Sequence, residues 1–282
     1  MKLDGTLGST PVSAYLDTLA SADPTPGGGA AAAVTAAQGA ALLSMVCNLT
    51  IGKKKFADVE EEVRAIHDEC ETARRQMLNL GDRDMEVFGT IMEVYKMPKL
   101  TPEEAEARRA AIQLALKASS EAPFELFKRC LATLPHADRL EKIGNPTVLS
   151  DVIVGRYLLV AGLMSAMANV EVNLASIDDA EFCKAKREVM LPAIGSMGVS
   201  WRGLGGGVDQ ISPICLISVG SRERTGLSKH CRPYRFIAAF FLARTRWITG
   251  SKSLRTCSQA VDFNGAWATL LKVGANRCSL PR

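Results

Sequence analysis

This 282-residue chain has little that can hold a metal. Its three histidines, His67, His136 and His230, are scattered, and none of its eight cysteines stands in a C-x-x-C spacing. Neither a zinc site nor a redox dithiol is expected from such a set. No secretory signal pattern opens the sequence, so reduced thiols and a cytoplasmic location are the simplest expectation. Charge is missing too, over one long stretch. From Pro24 to Gly52 there is no charged residue in 29 positions, a length that suffices for a membrane span. The content argues against one: Ala, Gly and Thr dominate, with Gln38, Ser44 and Asn48 among them and few large apolar side chains. A buried or interfacial helix is expected instead, and no membrane partner.

The net charge of +4 averages two unlike regions. After Met190 there are thirteen Lys and Arg against Asp209, Glu223 and Asp262, a local balance of +10, whereas positions 1–190 carry −6. All three tryptophans and four of the eight cysteines lie in the basic part. A break this sharp marks a boundary, so the reading is a helical domain over 1–190 and a basic extension of low order over 191–282. The extension shows no periodicity, and its cations are dispersed without a nucleic-acid motif, so no nucleic-acid partner is expected. A frameshift or read-through in the source gene is one reading of it, a genuine appendage the other.

Before residue 190 the pattern is all-α. Val59, Val63, Ile66, Cys70, Ala73, Met77, Leu80, Asp84, Val87, Ile91 and Val94 follow at strict four–three spacing, one buried stripe of coiled-coil type. Ten of these eleven positions are apolar, and Asp84 is the exception. Thr101, Pro102 and Glu104 form a capping box for a third helix reaching about Ser119, and Pro123 starts or kinks a fourth that ends near Lys142. "GNPTVLSD" at 144–151 reads as a turn, and a helix from Asp151 to Asn173 is apolar almost all round. Asp178 and Asp179 cap a short last helix that ends near Met190.

Three features can carry chemistry. A carboxylate inside a buried stripe must be paired, hydrogen-bonded or protonated. Asp84 is therefore either a general acid with a raised pKa or a polar residue that fixes helix register, and the pattern leaves the two level. Gly27, Gly28 and Gly29 strip the side chains from the start of the uncharged helix. They either admit a neighbouring helix or expose backbone N–H groups to an anion or a polarised carbonyl. Lys53, Lys54 and Lys55, with Lys96 and Lys99 further on, are cations at helix C-termini, where the macrodipole favours them. A clamp for an anionic substrate is the other reading of these lysines, and spacing alone favours the first.

"PTPGGGAAAA", "SMVCNLTIGKKKF", "DMEVF", "YKMPK", "EEAEARRAAIQLALK", "GNPTVLSD" and "NVEVNL" together resemble the cyclodeaminase/cyclohydrolase family of folate enzymes, over about residues 11–190. The resemblance implies a multihelical bundle of long helices that pairs as a homodimer, with a folate site near the Gly-rich helix start. It implies that Asp84 is the proton donor. Pro26, Gly27, Gly28, Gly29, Lys53, Lys54, Lys96, Lys99, Gly144, Asn145 and Asp151 match family motif positions and are expected to bind substrate. The activity implied first is methenyltetrahydrofolate cyclohydrolase, which converts 5,10-methenyltetrahydrofolate to 10-formyltetrahydrofolate without a metal or any cofactor beyond the folate. Cyclodeamination of 5-formiminotetrahydrofolate, with release of ammonia, is the alternative. A catalytically silent folate-binding scaffold is a reading of another class.

Overall fold

Alanine and glycine determine how closely the helices of this chain approach one another. A computed structural model describes residues 5–197, and expectations about the basic tail beyond them lie outside the described residues. The uncharged stretch forms α2 (Gly28–Asn48), whose buried side is mostly Ala and Gly. On it pack α3 (Glu60–Tyr95) and α5 (Leu149–Leu174). A β-carbon added at Gly39 would stand 2.7 Å from the carbonyl oxygen of Gly155. One added at Gly162 would stand 2.7 Å from the Ala36 Cβ. The helix axes are therefore as close as backbone allows, which is the use of small residues expected for a buried helix.

The stripe read from sequence is the buried face of α3. Val63, Ile66, Cys70, Ala73 and Met77 are all buried. Past Met77 the face drifts, because 3.6 residues per turn does not match a 3.5 repeat. Gly81 takes the innermost position there, under Leu7 and against Ala33. Opposite α2 lies α4 (Pro102–Ile143), held to α3 by the Arg139–Glu62 ion pair and to α5 by Arg156–Glu141. The four long helices run up and down, each antiparallel to its two neighbours. A short α1 (Val12–Leu19) covers the α2–α3 seam through a small cluster of Leu7, Tyr15 and Ala30, and α6 (Ala180–Ser196) closes the described chain.

No separate fourth helix starts at Pro123: α4 is one helix of 42 residues through Pro123 and Pro135. Proline removes the N–H that would bond the carbonyl four residues earlier. For Pro123 that carbonyl belongs to Ser119, and Asn173 Nδ2 of α5 donates to it at 3.4 Å. Burial of the Pro123 ring supplies apolar contact in compensation. The capping box is present as read, with Thr101 Oγ1 accepting from Glu104 N at 3.2 Å. At the last helix Asp179 accepts from Phe182 N at 3.0 Å, and α6 runs past Met190 to Ser196.

No strand occurs among the described residues. Two helical runs, Gly28–Asn48 and Pro146–Leu174, are long and apolar enough to cross a membrane, and the first lies buried between α3 and α5.

Candidate active site

The three glycines at the head of α2 meet different neighbours. A β-carbon at Gly29 would overlap the Asp84 carboxyl group, with Oδ1 at 2.7 Å and the other carboxyl atoms nearer still. At Gly28 it would touch the Asn169 amide, 3.2 Å from Oδ1 and 3.5 Å from Nδ2. At Gly27 the nearest atom is the Pro24 carbonyl oxygen at 3.6 Å, an ordinary contact. So Asp84 from α3 and Asn169 from α5 close on the bare first turn of α2 from two sides. Pro26, in the loop that leads into it, is buried.

Asp84 is half-buried and makes no hydrogen bond or ion pair among the described residues. Burial pushes its carboxyl from 3.8 up to about 6. The α2 head beside it has no side-chain cap, so its first N–H groups and the positive end of the helix dipole face this end of the bundle. The result is a carboxyl group that holds or releases a proton near neutral pH, next to unused backbone donors. Asn169 Nδ2 is held by the Ser165 carbonyl at 2.8 Å, which leaves Oδ1 as an acceptor beside Gly28. Asn173, one turn on, donates to the Asn169 carbonyl at 3.1 Å.

Asn169 and Asn173 were not singled out by the sequence reading. The available signal was the pair of amides four residues apart, inside "NVEVNL", in a helix otherwise apolar almost all round. No group of three or more His, Cys, Asp or Glu fit for a metal occurs among the described residues. The cysteines there, Cys47, Cys70, Cys130 and Cys183, are buried free thiols, and desolvation pushes the first three up to about 12.

The remaining expected residues do not join this cluster within one chain. Lys53 and Lys54 are exposed beyond the far end of α2. Since α2 has 21 residues, that end is about 30 Å from Gly29. Gly144, Asn145 and Asp151 lie at the lysine end. Asn145 ties the turn to α2, donating from Nδ2 to the Leu49 carbonyl at 3.0 Å and from its backbone N to Thr50 Oγ1 at 3.0 Å. Gly144 is bare because a β-carbon would stand 2.6 Å from the Leu140 carbonyl oxygen. Asp151 is half-buried in the first turn of α5. Lys96 and Lys99 are exposed past Asp84 along α3, and Lys96 pairs with Glu93 at 2.7 Å.

An antiparallel helical bundle with an unpartnered carboxyl group seated on a bare helix head defines a class of acid–base site without a charged cage. The particular family follows from comparison with known proteins. The chain belongs to the formiminotransferase-cyclodeaminase family, whose model matches residues 11–191. It is 42% identical over 179 residues to the methenyltetrahydrofolate cyclohydrolase of Methylorubrum extorquens, covering 64% of this chain and 86% of that protein. It is 36% identical over 157 residues to the formimidoyltransferase-cyclodeaminase of Mus musculus, covering 56% of this chain but 29% of that longer protein. In structure it resembles the formiminotetrahydrofolate cyclodeaminase of Thermotoga maritima, with TM-score 0.60 and 30% identity over 67% of this chain and 90% of that one. The all-α fold and the family expected from sequence are those found.

Proposed function

We propose that this protein is a methenyltetrahydrofolate cyclohydrolase with Asp84 as its proton-transfer group. The observation that carries the proposal is the unpartnered Asp84 carboxyl, raised to about 6 and seated against Gly29. Among the relatives, the 42% identical Methylorubrum extorquens protein, matched over most of its length, bears this activity in its name. The substrate is a cation whose positive charge lies on an amidinium carbon between two nitrogens. A water oxygen bonds to that carbon as one proton leaves to solvent. The adduct then gives up its hydroxyl proton as the bond from carbon to N5 breaks, and N5 takes a proton. Asp84 serves this second step as donor to N5 and recipient of the hydroxyl proton, which leaves it unchanged over the cycle. Asn169 Oδ1 is an acceptor placed to hold the attacking water. Nothing in these steps calls for a redox group.

Cyclodeamination needs the same parts, since N10 attacks a formimino carbon and the departing ammonia needs a proton. The Thermotoga maritima likeness favours it as the second reading. The test is the loss of 5,10-methenyltetrahydrofolate absorbance with purified protein, beside ammonia release from 5-formiminotetrahydrofolate. Hydrolysis well above the buffer rate is expected. Ammonia release alone would transfer the assignment to cyclodeaminase, and binding without either reaction would favour the silent scaffold.

The functional unit proposed is a homodimer. One chain leaves Lys53 and Lys54 about 30 Å from Asp84, and a second copy is the means by which both sets can face one substrate. The outer face of α5 at the lysine end is apolar and exposed, with Tyr157 at 53%, Val154 at 46% and Ile153 at 38%, a patch of the kind that marks an interface. Sedimentation should give twice the 30.3 kDa chain mass, and Tyr157→Asp should shift it toward the monomer with loss of turnover. A wild type that sediments as a monomer while fully active would overturn the dimer.

A further inference from the structure

Every arginine among the described residues but two has a carboxylate or carbonyl partner, as Arg187 has Glu171 at 2.8 Å and Arg139 has Glu62 at 2.6 Å. The two exceptions, Arg83 of α3 and Arg129 of α4, line the same groove. Arg129 is half-buried there, where a guanidinium without an anion is costly. The one carboxylate in the groove, Glu125, is engaged by Lys128 at 2.7 Å. Gln76 and Asn79 line the same groove, and the side-chain oxygen of Gln76 is buried without a donor. Positions 76, 80 and 83 lie on one face of α3. Arg83 adjoins Asp84 in sequence, but one residue turns a helix by about 100°. Leu80 of the groove precedes Asp84 by four positions on one face, so the groove runs alongside the contact with Gly29 rather than through it.

We propose that this α3–α4 groove binds peptide-linked carboxylates. A guanidinium matches a carboxylate through paired N–H donors, and two of them across a groove suit a chain with several such groups. An amide N–H from the same chain supplies the donor that the Gln76 oxygen lacks. Short glutamyl peptides have this chemistry. Two sources present it: the γ-linked glutamyl tail of a folate, which rests on the function proposed above, and an α-linked acidic segment of another protein.

The test is calorimetric titration of the full chain at fixed ionic strength with tri-γ-glutamate, tri-α-glutamate, triglutamine and inorganic phosphate. Glutamyl peptides should bind and triglutamine should not. Arg83→Gln/Arg129→Gln should weaken glutamyl binding at least tenfold with an unchanged circular dichroism spectrum. Neither arginine holds another part of the described fold through an ion pair, so the double variant is expected to fold. Preference for the γ-linked peptide would assign the groove to the folate tail, and preference for the α-linked one to an acidic segment; both support the site. Three results would overturn it: no glutamyl binding by wild type, binding indifferent to the double substitution, or phosphate binding as tightly as the peptides. Because binding is read without turnover, a protein inactive on both folates that still captures glutamyl peptides would sink the proposed reaction and leave the groove standing.

Discussion

Asp84→Asn should lower turnover of 5,10-methenyltetrahydrofolate by about 10²–10⁴-fold, the usual contribution of a positioned proton-transfer group. The amide has nearly the shape of the carboxyl, so it fits against Gly29 and folate affinity should hold. What it lacks is the proton. The wild-type carboxyl titrates at about 6, so the neutral donor is depleted as pH rises through that value. With the neutral form active, kcat/KM should fall about tenfold per pH unit above it, and the residual rate of Asp84→Asn should lack that inflection. A variant within threefold of wild type would remove Asp84 from the mechanism.

The same substitution should act on stability with a sign that depends on pH. Burial raises this carboxyl from 3.8 to about 6, so over that window the folded chain holds a proton that the unfolded chain has released. Stability from the neutral carboxyl is complete below the lower value and is lost as pH rises through the upper one. Above it, the ionised group costs the fold on the order of 2–3 kcal/mol. Asn carries no charge at any of these values. Asp84→Asn should therefore be the more stable protein at pH 7.5 and match wild type near pH 4, as read from urea midpoints. A variant less stable at pH 7.5 would show that the ionised carboxylate has a stabilising partner.

Such a trade of stability for a proton is what made Asp84 visible in the sequence. One acid among ten apolar positions breaks a local rule, and local rules can be read without coordinates. The capping box at Thr101 and the Asp179 cap are legible for the same reason, since each is a contact within one turn. Pro123 misled because its cost is local while its compensation is not: the freed Ser119 carbonyl finds Asn173 on another helix, 54 residues away in sequence. Asn169 was hidden in the same way, as a polar residue whose meaning depends on Gly28 lying opposite. The lysines show a different limit. Spacing favours a helix-end cation over an anion clamp at both Lys53 and Lys96, and it does not show that the antiparallel course of α2 and α3 sends the two to opposite ends of the bundle. Distance in a helical bundle is set by topology, which a list of charged residues does not contain.

Of the three glycines at the head of α2, Gly29 should be the one whose replacement by alanine damages turnover most. Gly29 stands in the first turn of α2 and is buried. Intrinsic helix propensity favours alanine over glycine by about 1 kcal/mol, so the substitution ought to help an ordinary helix. Here the new methyl overlaps the Asp84 carboxyl. Either the carboxyl swings off the helix head or α2 and α3 part, and overpacking of this kind costs about 1–3 kcal/mol. A displacement of about 1 Å is enough to lose 10²-fold in rate, so activity should drop by that order even in molecules that remain folded. Gly27→Ala is the matched control, because its nearest contact is an ordinary 3.6 Å and both rate and stability should barely change. The clash also predicts coupling. In an Asp84→Ala background the overlapping atoms are gone, so adding Gly29→Ala should no longer destabilise and should recover the propensity gain. A double-mutant cycle by urea unfolding should then give an interaction of about 1–3 kcal/mol, as contacting residues do. Strict additivity, or a fully active Gly29→Ala, would mean that the carboxyl does not rest on the helix head, and the proton-transfer role built on that contact would fall with it.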